Sequence, residues 1–151
     1  MRKPRAAAAS RVVAVACTLV VLCGACGGDG PAPRVWAASV CNALAPWRAE
    51  INDLTRSTQQ QMTAQTTPAQ AKENLVRMLG GAEQASETAR RAVADAGVPD
   101  VERGDVISNE FVTSLAAVRD AYGRARTAIE RLSTAQPDAF DDGVKAAVDT
   151  L

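Results

Sequence analysis

The sequence predicts an all-α protein, an up-down antiparallel bundle of four helices behind an N-terminal signal peptide. Three observations predict it. After the first 25 residues the chain is rich in Ala and poor in β-branched runs, which is a helix-forming composition. Its apolar residues recur at spacings of three and four, the period of one helix face. Pro and Gly cut this part into four such segments, joined by connections short enough to make successive helices antiparallel neighbours.

Arg2, Lys3, Arg5 and Arg11 precede an uncharged run from Val12 to Cys23, twelve residues long. That run has the length of a signal-peptide apolar region and falls short of the ~20 apolar residues of a membrane-spanning helix. Residues 1–25 therefore read as an export signal, 26–33 as a Gly- and Pro-rich flexible tether, and 34–151 as the helical domain.

The first helix is expected from about Arg34 to Met62, with Trp36, Val40, Leu44, Trp47, Ile51 and Leu54 on one stripe. Pro46 lies within it, and because the stripe continues in phase a kink is expected rather than a break. The polar run Ser57–Thr66 is expected to fray into a loop. Thr67-Pro68-Ala69-Gln70 then reads as a capping box opening the second helix, with Pro at the first helical position. Leu75, Met78, Ala82, Ala85, Ala89, Ala92 and Ala96 form its stripe, small enough for a neighbouring helix to approach closely, and Gly97 ends it ahead of Pro99.

An acidic connection from Asp100 to Asp105 leads to the third helix, whose stripe is Ile107, Phe111, Leu115, Val118, Tyr122, Ala125, Ile129 and Leu132. Asp105 is expected to cap it, and Asp120 with Arg124 and Arg126 with Glu130 to pair one turn apart. Pro137 opens a short fourth helix, with Phe140, Val144, Val148 and Leu151 on one side.

The segment Leu22-Cys23-Gly24-Ala25-Cys26-Gly27-Gly28 resembles the lipobox of bacterial lipoproteins, in which a small residue precedes a Cys that is acylated, with palmitate among its fatty acids, and becomes the new amino terminus. The resemblance implies lipidation at Cys26. Cys23 stands where that pattern usually has Leu, and a retained signal anchor or ordinary signal-peptidase cleavage are the alternatives. Val40-Cys41-Asn42-Ala43-Leu44 followed by Trp47 and Ile51, with Ala96-Gly97-Val98-Pro99-Asp100-Val101, further resembles small lipoproteins of high-GC Gram-positive bacteria. That resemblance implies an envelope location and a helical fold. It implies no activity and no functional residue.

Charge and composition exclude several classes. Without the four cations of the signal, 13 basic face 17 acidic side chains, a net of −4, which is unsuited to nucleic acid. The chain has no His, and only Lys72 and Lys145 follow the signal, so acid-base catalysis lacks its usual groups. Neither metal nor cofactor is expected: Cys23 and Cys26 lack a second ligand pair, and the carboxylates of Asp100, Glu102 and Asp105 do not follow the calcium-loop spacing. Cys41, beside Val40 and Leu44, is expected to be a small buried hydrophobe. Failing that, it is a reactive or dimer-forming thiol, or pairs with an unacylated Cys26. Arg119, Arg126, Arg124 and Arg131 are expected on a solvated face, with contact to anionic headgroups or wall polymers as the sharper reading.

The function expected is that of a protein anchored by lipid to the outer face of the cell membrane, non-enzymatic, binding an envelope protein or wall polymer. The alternative is a carrier or sensor of a small apolar ligand held near Trp47, Met78 and Tyr122. Trp36 and Trp47 are expected to pack in the core, with ligand stacking or a partner surface as the sharper reading, and the candidates for contact with partner or ligand are Trp36, Cys41, Trp47, Met78 and Tyr122.

Overall fold

A computed structural model describes residues 30–151. The signal peptide and Cys26 lie outside the described residues. The described residues are all-α and form four helices, α1 (Pro33–Gln61), α2 (Pro68–Asp95), α3 (Gly104–Glu130) and α4 (Pro137–Val148). Each packs on the next, and α2 lies between α1 and α3.

Local chemistry sets the boundaries. Pro33 occupies the first turn of α1, where its missing N–H is not needed, and the Ala32 carbonyl accepts from the amides of Val35 and Trp36. The helix runs through Pro46 and on to Gln61, through the first half of the polar run expected to fray. Thr66 holds that end: its hydroxyl donates to the Gln61 carbonyl at 3.0 Å and accepts from the Thr63 amide at 2.8 Å. The capping box at α2 forms as expected, the Gln70 amide donating to Thr67 Oγ1 and the Thr67 amide to Gln70 Oε1. Past the other end of α2, Gly97 takes φ +75°, a conformation that costs a side chain ~1–2 kcal/mol.

Asp105 is not the cap of α3. The helix begins one residue earlier, after Arg103 in left-handed conformation, so Asp105 lies in the first turn, where its charge favours the helix dipole. Gly104 starts the helix because it is pressed against Pro99: a Cβ there would overlap the Pro99 carbonyl oxygen. Pro137 again opens α4, which ends at Val148 and leaves Leu151 exposed.

Two clusters make the core. In the upper one Trp36 and Val40 of α1, Ala89 and Val93 of α2 and Leu115 of α3 meet. In the lower one Leu79 of α2, Ala125 and Ile129 of α3 and Ala147 of α4 meet. The expected stripe of α1 is the one that packs. That of α2 is shifted: Ala71, Leu79, Ala82, Ser86, Ala89 and Val93 are the buried residues, so Met78, Ala85 and Ala92 mark one edge of the contact rather than its centre. Neighbours on both sides give α2 a wider buried arc, and a single stripe traces only one side of it. At the start of α3 the same effect buries Gly104 and Ser108 and leaves Ile107 and Phe111 exposed; on α4 Ala147 is buried in place of Val148.

Ion pairs join α2 to α3. Arg119 Nη1 reaches Glu87 Oε2 at 2.7 Å and Arg126 Nε reaches Glu83 Oε2 at 3.0 Å. Arg126 also pairs with Glu130 as expected, whereas Asp120 pairs with Arg119 rather than Arg124. Two of the four arginines expected on a solvated face are therefore bound across the helix interface. Among the described residues no helix is long and apolar enough to cross a membrane.

Candidate functional site

A groove of about 610 Å³ opens between α1 and α2. It exists because the helices are pinned above it, below it and through Trp47 beside it, while the other side chains that face it are short. Above, Trp36 Nε1 donates to the Gly97 carbonyl at 2.9 Å, fixing the start of α1 to the end of α2. Below, Leu54 lies directly on Gly81, so closely that a Cβ there would come within 2.8 Å of Leu54 Cδ2. Between these points α2 offers Ala85, Thr88, Ala89 and Ala92, and α1 offers Ala43 and Pro46, side chains too short to fill the space.

Trp47 is the one aromatic side chain on the wall. Its Nε1 donates to Ser86 Oγ at 3.0 Å, and Ser86, fully buried, donates in turn to the Ala82 carbonyl at 2.8 Å. The indole is thus held at a set angle with one face of the groove in its reach. Asn42, Glu50, Gln84 and Thr88 supply polar groups, and Glu50 is the only ionisable residue on the lining. Pro46, which has no N–H to give the Asn42 carbonyl, lines the groove together with Asn42. The arrangement offers an apolar floor, a fixed aromatic and a hydrogen-bonding rim, which suits binding.

The electrostatics concentrate on the far side of α2. Glu87 accepts from Arg90, Arg119 and Arg91 at 2.7 to 2.9 Å. Hydrogen bonds from Arg90 foremost, then Arg119 and Arg91, hold its carboxyl well below the usual carboxylate range. The guanidinium of Arg119 is pushed up by the hydrogen bond to Glu87 and then that to Asp120; Arg126 is pushed up in the same way by Glu83 and Glu130. These groups tie helices together. A second, polar recess of about 590 Å³ between α2 and α3 is lined by Glu83, Arg126, Arg124 and Arg131, and its first two members are each other's partners. Among the described residues no group of His, Cys, Asp or Glu is arranged to hold a metal ion.

Of the five residues expected to contact a ligand or partner, Trp47 lines the groove and Trp36 is committed to the core, its ring meeting Phe111 edge-on at 5.6 Å. Met78 and Tyr122 pack against the lower cluster, so they are not brought together with Trp47. Cys41 is free among the described residues, a pairing with Cys26 lying outside them, and it is exposed, which corrects its expected burial. It lies ~100° around α1 from Val40, and α1 packs mainly on α2, so its buried arc is too narrow to reach that far. The sequence reading missed Ser86, Thr88 and Gln84. The visible signal is the run of alanines in the expected α2 stripe: it reads as close packing, and at Ala85, Ala89 and Ala92 it borders the groove. No protein-family model, curated protein or solved structure matches this chain.

Proposed function

We propose that the chain is a lipid-anchored, non-catalytic binding protein of a bacterial cell envelope, held at the outer face of the membrane through Cys26 and binding its partner in the groove between α1 and α2. The anchor rests on the charged start, the apolar run and the lipobox-like Ala25-Cys26, and the resemblance to small lipoproteins of high-GC Gram-positive bacteria agrees with it. The observation that carries the binding role is Trp47, pinned by Ser86 beside a groove whose floor is Ala and Gly.

An open groove floored by small residues suits a segment of a partner protein, because the segment can approach the α2 backbone closely and meet Asn42, Gln84 and Thr88 at the rim. A photoreactive residue placed at Thr88 in intact cells is expected to crosslink a second protein, and the same residue at Lys145, exposed on α4, is expected not to. Recovery of monomer alone from both sites would overturn the reading. The groove's volume also falls in the range of small-molecule sites, ~300–1,000 Å³, which favours an apolar ligand as the second reading. An extra mass on the full chain in native mass spectrometry, lost on Ala85→Glu, would select that one.

A further inference from the structure

The described residues expose eight large apolar side chains, and five of them, Val35, Val98, Val101, Ile107 and Phe111, belong to the end of the bundle where the chain enters. The entering segment is fastened there. The Asp100 amide donates to the Pro31 carbonyl at 3.0 Å, and Gly30 lies so close to Val98 that a Cβ would overlap the Val98 carbonyl oxygen. Trp36 and Ser108 both donate to the Gly97 carbonyl, holding the same loop from beneath. The last part of the segment expected to be a flexible tether is therefore already docked.

Only four residue steps separate Gly30 from Cys26, a reach of no more than about 14 Å even when fully extended. We infer that this apolar end is a membrane-docking surface: Val98 and Val101 of the loop, with Val35, Ile107 and Phe111 behind them, insert among lipid headgroups and set the bundle upright on the bilayer. The inference rests on the proposed lipid at Cys26, which brings the surface to the membrane. Phe111 illustrates why the surface needs cover, since its edge meets Trp36 yet 41% of it remains exposed. Burying such side chains to an interfacial depth of ~5–10 Å releases apolar area from water. Charge does not supply the attraction, because Asp100, Glu102 and Asp105 outnumber Arg34 and Arg103 at this end. The opposite end, at Met62, is placed ~40 Å away by the length of α1 and stands clear of the lipid.

The test uses the full chain carrying Cys41→Ser, purified from membranes and reconstituted into phosphatidylcholine vesicles, with a nitroxide at Val101→Cys, Phe111→Cys or Met62→Cys. Helix content by circular dichroism checks the fold of each variant, and Val101→Cys, on the loop, does not depend on the Trp36 contact. Intact mass reports separately whether Cys26 bears lipid. Nitroxides at 101 and 111 several-fold less accessible to an aqueous nickel relaxant than the one at 62 would support the inference. Equal access at all three sites on a lipidated chain would overturn it and leave the anchor standing. Equal access on a chain without lipid would overturn both, and protection at 101 and 111 without lipid would support the surface and remove the anchor.

Discussion

The indole Nε1 of Trp47 donates to the hydroxyl of Ser86 at 3.0 Å, a bond that joins α1 to α2 across 39 residues of sequence and fixes the aromatic wall of the groove. Ser86 is fully buried and its hydroxyl donates to the Ala82 carbonyl, so both the indole N–H and the hydroxyl have partners. Ser86→Ala and Trp47→Phe should each cost about 1 kcal/mol, and their coupling in a double-mutant cycle should be of similar size. Urea unfolding of the two single variants and the double variant measures it; additive costs would show that the bond contributes nothing.

Glycine positions separate close contact from mere flexibility. Gly104→Ala must push against the backbone carbonyl of Pro99 and is expected to destabilise by about 1–3 kcal/mol. Gly80→Ala meets only Arg126 Cδ at 3.4 Å, within a helix that prefers Ala, and should be neutral or stabilising by up to about 1 kcal/mol. Thermal unfolding of the two variants should give shifts of opposite or clearly unequal size.

Much of this architecture is legible in the sequence, and the failures have one cause. The capping box at Thr67, the Gly97 terminator and the stripe Trp36, Val40, Leu44 and Trp47 depend on neighbours within a few residues, and the structure has them. Which edge of α2 is deepest depends on α1 and α3 lying on either side of it, so Leu79, Ser86 and Val93 were passed over for Met78, Ala85 and Ala92. The groove was still less legible. Its small residues also describe tight packing, and the difference arises from contacts distant in sequence, where Leu54 on Gly81, Trp36 on Gly97 and Trp47 on Ser86 set the helices beside the groove.

Acid should loosen the α2–α3 interface through Glu87. Its carboxyl is depressed in the folded chain by Arg90, Arg119 and Arg91, so its stabilisation is fully present above the unfolded value near 4.5 and is lost as pH falls below it. Glu87→Gln should be less stable than the parent at pH 7 and should lose less of its remaining stability between pH 5 and pH 3. Parallel acid-unfolding curves for parent and variant would contradict this.

Cys41 offers a direct check on the surface of α1. Being exposed, and free among the described residues, it should react with a maleimide in the folded protein about as fast as in urea. Reaction only after unfolding would place it in a contact.

Cys26 is proposed to carry the chain to the membrane, and the mass of the N-terminal peptide released from membrane-bound protein decides whether it does. The expected chain begins at Cys26 and bears added fatty-acyl mass, and Cys26→Ala releases the protein from the membrane. A chain that keeps residues 1–25, or a Cys26→Ala variant bound as tightly as the parent, would contradict it.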